Sequence, residues 1–210
     1  MYNQRPSSDK TLILNFINAI TEHWFMNGNE TSLFQIRCIG ERQKPFLKLF
    51  TLNKIDQAVD LIIKKNYELF NVYMTVNPID SNAEVANGAK DGHISNAYFC
   101  FADADDLEGF KGLQHLSLRN PPDITVTTGT VPHIRLHHYW RLTIPCTDMD
   151  KWRSYQKRIA ETYKTDKSIT NPSRVMRIAG TITHPNTKKI LRGYKPELVT
   201  IELGSSYGFK

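Results

Sequence analysis

The sequence predicts an α+β fold with a mixed sheet, and three observations point there. Stretches of period-2 alternation and stretches of 3.6-residue periodicity intermix along the chain. Some candidate strands follow one another as hairpin neighbours, while others are separated by a helix long enough for a crossover. The elements do not keep the strict alternation of a doubly wound sheet. At 210 residues the chain is long enough to bury a core as one domain.

In chain order, SSDKTLILNFINAITEHWF puts Leu12, Ile13, Phe16, Ile17, Ile20 and Trp24 on one helical face, with Ser8 or Asp9 as its cap. SLFQIRCI (32–39) alternates as a half-buried strand does. A second helix is expected from Asn53 to about Phe70, with Ile55, Val59, Ile62 and Ile63 inward. NVYMTVNP (71–78) reads as a strand stopped by Pro78, and the polar, Gly/Asn-rich residues 79–95 as a loop. NAYFCFADADD is a strand followed by a helix over about 107–119. DITVTT and LHHYWRLTI are strands joined by the turn-rich link GTVPHIR. Asp148 or Asp150 starts a helix carrying Trp152, Tyr155, Ile159 and Tyr163. The tail holds a compact NPSRVMRIAGT turn and short strands around 188–201.

Composition narrows the function classes. Forty per cent hydrophobic and 23% charged residues are ordinary for a globular protein. No apolar run nears the ~20 residues of a membrane span, and MYNQRPSSDK has no apolar signal core. Cys38, Cys100 and Cys146 are odd in number and widely spaced, giving neither a disulfide framework nor a CxxC zinc pattern. A reducing cytoplasm is therefore expected. The net charge of +6 suits a polyanionic partner such as nucleic acid, and equally a merely solvated basic surface.

Chemistry concentrates in three segments. In YFCFADADD (98–106), Asp103 and Asp105 lie two apart on one strand face, beyond Phe99 and Phe101. Two carboxylates held side by side repel, and one stays protonated unless a cation lies between them. Mg²⁺ resolves the conflict, because it takes one or two carboxylates and fills its remaining positions with substrate phosphates. Asp106 points away and suits a helix cap; a plain pair of caps at Asp105 and Asp106 is the alternative. In the next segment, His138 shares a strand face with Leu136, Trp140 and Leu142 and reads as core. His137 shares the other face with Tyr139 and Arg141, which suits phosphate oxygens. Thr128 and Gly129 offer backbone N–H groups to an anion. His133 and His137 have the spacing of a helical metal site, but Pro132 and the intervening residues argue against a helix. The third segment supplies Asp166, then Arg174 and Arg177 three apart on one helical turn, then Lys188 and Lys189. Such an arginine pair is either a phosphate clamp or a solvated basic face.

In order and spacing the three segments resemble the archaeo-eukaryotic primase superfamily, nearest to the primase–polymerases of plasmids and phages. Asp103 and Asp105 match its acidic strand-end motif. Thr128-Gly129 with His137, Tyr139 and Trp140 matches its histidine strand, and Asp166 its later acid. Arg174, Arg177, Gly180 and Thr181 match its arginine segment. The spacer from Gly129 to His137 is longer than usual for that superfamily, so strand face selects His137. The resemblance covers residues 96–189 and has no motif in the first ~90. It implies an RRM-like catalytic part (96–202) with an N-terminal αβ part (1–95) in one domain. It also implies a template-directed nucleotidyltransferase, a DNA primase or DNA polymerase, from a mobile-element replication system. Asp103, Asp105 and Asp166 would hold Mg²⁺ or Mn²⁺. Thr128, Gly129, His137, Arg174 and Arg177 would bind the NTP or dNTP. Lys188 and Arg141 would contact a single-stranded DNA template and its primer. The chain shows no helicase or zinc motif and stops at YGFK without a terminal cap, so a partner helicase or a C-terminal region is expected to supply them.

Two other functions fit parts of the sequence. A replication-initiator nickase would use His137, His138 and Tyr139, but adjacent strand histidines face opposite ways. A non-catalytic single-strand-binding module would stack bases on exposed aromatics, leaving the paired aspartates without a role.

Overall fold

The computed structural model describes residues 6–28 and 30–204, so the YGFK terminus lies outside the described residues. Helix α1 (Lys10–Phe25) is capped by Asp9, whose carboxylate accepts the Leu12 N–H at 3.0 Å. Ser8 instead donates to Asn66. Strands β1 (Leu33–Ile39) and β2 (Phe46–Thr51) form an antiparallel hairpin. The sequence does not announce β2, because this edge strand is mostly half-buried and its side chains do not alternate. A 3₁₀ turn over Leu52–Lys54 precedes α2 (Ile55–Tyr67), so Asn53 does not open the helix. The chain leaves α2 through Leu69 at φ 67°, three residues short of the expected end at Phe70.

Strand β3 (Asn71–Thr75) pairs with β1. Then come β4 (Ala97–Ala104), α3 (Leu107–Ser117), β5 (Ile124–Gly129) and β6 (Arg135–Cys146). Helix α4 (Met149–Tyr163) is capped by Asp148, which accepts the Lys151 N–H at 2.9 Å. Strand β7 (Val175–Arg177), helix α5 (Thr187–Leu191) and strand β8 (Thr200–Leu203) complete the chain. Two expectations for the tail are corrected here. Arg174 and Arg177 do not share a helical turn, since Val175–Arg177 is a strand. Residues 187–191 are helical, because Asn186 caps them by accepting the Lys189 N–H at 2.8 Å.

The α+β class is as expected, with the strands divided between two antiparallel sheets, β2-β1-β3-β7 and β4-β6-β5-β8. Strand β7 comes late in the chain but crosses back to β3, pairing Arg177 with Tyr73. That crossing brings the arginine segment to the same cleft as the acid-ended strand. One apolar cluster spans both sheets and includes Phe16 and Trp24 of α1, Phe34 of β1, Phe99 and Phe101 of β4 and Trp152 of α4. Each such side chain contributes about 2–3 kcal/mol by leaving water. On α4 the inward positions are Trp152, Gln156 and Ala160, and Tyr155 turns outward. Among the described residues no helix is long and apolar enough to cross a membrane.

Candidate active site

Both sheets open onto one cleft of about 470 Å³. Asp103, Asp105, Thr128, His137, Asp166, Arg174 and Arg177 all line it. Gly129, Lys188 and Arg141, also expected to bind nucleotide or nucleic acid, do not. Gly129 is outside the lining, and a Cβ there would fall 1.8 Å from the Arg135 guanidinium, so the glycine leaves room for that arginine. Lys188 is exposed on α5 outside the lining, and its neighbour Lys189 faces the cleft instead. Arg141 pairs across from Phe99, four residues up β4 from Asp103, and is held by Asp123 through its backbone N–H (2.7 Å) and Nε (3.4 Å).

Strand β4 carries the acids to the cleft for a simple reason. Its first six residues, Ala97 to Ala102, are buried, and the strand surfaces only at Asp103. Asp106 accepts the Gly109 N–H at 2.8 Å as the cap of α3, leaving Asp105 at the mouth. Asp166 arrives on the loop after α4. The helix ends with Lys164 at φ 55°, and the Asp166 N–H then donates to the Asp103 carbonyl at 2.9 Å. The Asp166 carboxylate accepts from the N–H and hydroxyl of Ser168 at 2.8 and 2.9 Å.

Asp103 is the anomalous group. Its Oδ1 is buried and has no hydrogen-bond partner. Burial, with the neighbouring charges of Asp105 and Asp166, pushes its pKa well above the ordinary carboxylate value. His137 pairs with Asp103 across β4 and β6, its Nε2 3.6 Å from that Oδ1. This contact is too long for a hydrogen bond. Nor is it an ion pair, since burial, helped by Arg177 and His138, pushes the imidazole down to about 3. The neutral ring has its other nitrogen, Nδ1, 3.1 Å from the Tyr139 hydroxyl. His138 faces away, edge-on to Trp140 with ring centres 5.7 Å apart. Strand alternation therefore separated the two rings correctly.

Another part of the lining is cationic. The Arg177 guanidinium donates to Asn71 Oδ1 and the Tyr73 hydroxyl at 2.5 and 2.9 Å and lies over the Tyr73 ring. Arg174 is held by the carbonyl and hydroxyl of Ser168. Sequence reasoning missed Tyr73, Tyr194 and Lys195, which also line the cleft. Tyr194 is covered by Arg135, Lys189 and Arg192 at 4.5, 5.3 and 5.5 Å from its ring centre. The local run TKKILRGYK, four cations about one aromatic, was the available signal.

The acids fit a divalent cation. A buried carboxylate oxygen without a donor is a cation ligand in waiting, and the two nearby charges that destabilise it are carboxylates as well. Among the described residues no three His, Cys, Asp or Glu side chains converge into a complete cage. Mg²⁺ does not require such a cage, since it takes one or two carboxylates and fills its remaining positions with phosphate and water oxygens.

No family model and no curated protein matches the chain in sequence. Solved structures do match in fold. The primase–polymerase (PrimPol) AEP domain of cyanophage S-2L superposes with a TM-score of 0.64 at 23% identity, covering 94% of this chain and 91% of that one. The primase RepB' matches with a TM-score of 0.58 at 14% identity, over 90% of this chain and 56% of that one. The catalytic domain of primase RepB' in complex with initiator DNA matches with a TM-score of 0.58 at 13% identity, over 92% and 85%. The chain therefore shares the fold of these primase and primase–polymerase domains.

Proposed function

We propose that the chain is a template-directed nucleotidyltransferase, a primase or DNA polymerase that adds NTP or dNTP units to a strand paired with single-stranded DNA. The observation that carries it is a single cleft lined by three carboxylates, Asp103 with its buried, unbonded Oδ1, Asp105 and Asp166, together with two guanidinium groups, Arg174 and Arg177. A nucleoside triphosphate with a divalent ion offers a cation to the acids and phosphate oxygens to the arginines. Asp103, Asp105 and Asp166 would hold Mg²⁺ or Mn²⁺. Such ions supply a lowered pKa for an attacking hydroxyl and charge neutralisation on phosphoryl oxygens.

The chain's own residues do the rest by position and electrostatics. The arginines present forked N–H donors to phosphate oxygens. Neutral His137, with Nδ1 engaged by Tyr139, directs Nε2 at the cleft wall, where it can bond a phosphate oxygen. Lys189 and Lys195 add a cationic lip for a nucleic-acid backbone, whose hold weakens with salt. Source element, helicase and accessory region belong to this proposal as the setting in which such a chain works.

The test is incorporation of labelled NTP or dNTP on single-stranded template, with and without primer, in Mg²⁺ or Mn²⁺. Metal-dependent extension is expected. Metal-independent DNA binding without incorporation would identify a binding module, and a covalent protein–DNA adduct a nickase.

A further inference from the structure

Strand β4 lies at the edge of its sheet, with only β6 beside it. An open edge inside a protein leaves N–H and C=O groups to be satisfied. Side chains do this here, one outward-facing residue at a time. Asn77 Oδ1 accepts the N–H groups of Tyr98 and Phe99 at 2.9 and 3.3 Å. Trp152 Nε1 donates to the Phe99 carbonyl at 2.9 Å. Gln156 serves Phe101 at both groups: its Oε1 accepts the N–H at 3.1 Å and its Nε2 donates to the carbonyl at 2.9 Å. At Asp103 the covering donor is the backbone N–H of Asp166.

Asn77 makes a third bond, from its Nδ2 to the Pro172 carbonyl at 3.2 Å, but among these side chains it is Gln156 that reaches the loop close to Asp166. Its Nε2 also donates, at 3.3 Å, to the carbonyl of Ile169, whose own N–H donates to the Asp166 carbonyl at 3.2 Å. One buried amide thus joins the strand two residues before Asp103 to the loop three residues after Asp166. Its side chain is 1% exposed, although α4 would bury an apolar residue there at less cost. We infer that Gln156 is a positioning residue, setting where the Asp166 loop stands relative to Asp103 and so the shape of the cation site. This rests on the proposed role of those acids.

The full chain tests it with Mn²⁺ binding followed by electron paramagnetic resonance, and with the Mn²⁺ concentration that gives half-maximal incorporation. Gln156→Met removes all three bonds. Gln156→Glu keeps the acceptor for the Phe101 N–H and, ionised, loses both donations; it serves if the methionine variant does not fold. Trp152→Phe is the control, since it opens the same edge at Phe99, two residues farther from Asp103. The expected result is Mn²⁺ affinity weakened about tenfold or more in the Gln156 variants. The half-maximal Mn²⁺ should rise in parallel, while nucleotide KM at saturating metal stays within about twofold. Trp152→Phe should lower Tm yet leave Mn²⁺ affinity within about twofold. Wild-type affinity in Gln156→Glu, or an equal loss in Trp152→Phe, overturns the inference and leaves Gln156 a structural residue. Asp103→Asn with Asp105→Asn separates the two levels: loss of Mn²⁺ binding there, with none in the Gln156 variants, rejects the glutamine's role alone. Unchanged binding in the double variant rejects the acid site, and the glutamine's role with it.

Discussion

The acidic wall and the cationic wall of the cleft place their residues by different means. On sheet β4-β6-β5-β8, Asp103 and His137 are held by burial on adjacent strands, with Asp166 clipped to the Asp103 carbonyl. On sheet β2-β1-β3-β7, Arg177 reaches its position through hydrogen bonds to Asn71 and Tyr73. Arg174, just before β7, bonds the carbonyl and hydroxyl of Ser168, which also holds the Asp166 carboxylate, so the two walls meet there. The first wall is buried and electrostatically uncomfortable; the second is built from long side chains that are hydrogen-bonded except at Arg174 Nε. Removing a residue from the acidic wall should therefore abolish chemistry while relieving the fold. Removing one from the cationic wall should weaken substrate binding in a graded way.

The sharpest contrast is Asp103→Asn with Asp105→Asn. Incorporation is expected to fall on the order of 10³-fold or more, since ion-supplied stabilisation is worth several kcal/mol. Circular dichroism should show an intact fold. Next is Arg177→Ala, which loses charge-assisted bonds worth about 1.5–3 kcal/mol and should raise nucleotide KM about ten- to hundredfold. Arg177→Lys restores little, because a lysine cannot span Asn71 and Tyr73 with a planar fork. His137→Ala should raise nucleotide KM about tenfold, whereas His138→Ala should leave KM unchanged and lower Tm through lost packing on Trp140. The reverse ranking would place the wrong ring in the cleft.

Stability without added metal gives a quieter test of the same contrast. The raised pKa of Asp103 means that the folded state holds this proton more tightly than the unfolded chain does. Its favourable contribution is present below about pH 4 and disappears as pH rises. Asp103→Asn should then raise Tm at neutral pH, with the gain closing toward about pH 4. His137 and His138 have the opposite effect. Burial pushes them down to about 3 and about 4, so the unfolded chain takes up protons first and stability falls as pH drops below about 6.5. The smallest effect is expected at Arg141→Ala: activity within about twofold, and about 1 kcal/mol of stability from its pair with Asp123.

The acidic wall was legible in the sequence because strand alternation is a strong constraint. A buried run ending at Asp103 fixes which face the acid takes, and the same rule assigned His137 and His138. The cationic wall was less legible because nothing local decides whether SRVMR is a turn of helix or a strand. Pairing with β3, about a hundred residues earlier, decides it. The steric need for glycine at position 129 gave no local signal either, because it comes from Arg135, six residues on. Gln156 gave no sequence signal at all: a polar residue on an amphipathic helix reads as solvent-facing until the uncovered edge of β4 is seen.

The central claim is that a cation makes the neighbouring carboxylates of Asp103 and Asp105 compatible. Anomalous diffraction from crystals grown with Mn²⁺ and a nucleoside triphosphate tests it directly. The account predicts a manganese peak between those two carboxylates, bridged to phosphate oxygens. A bound nucleotide with no manganese against Asp103 or Asp105 would contradict it.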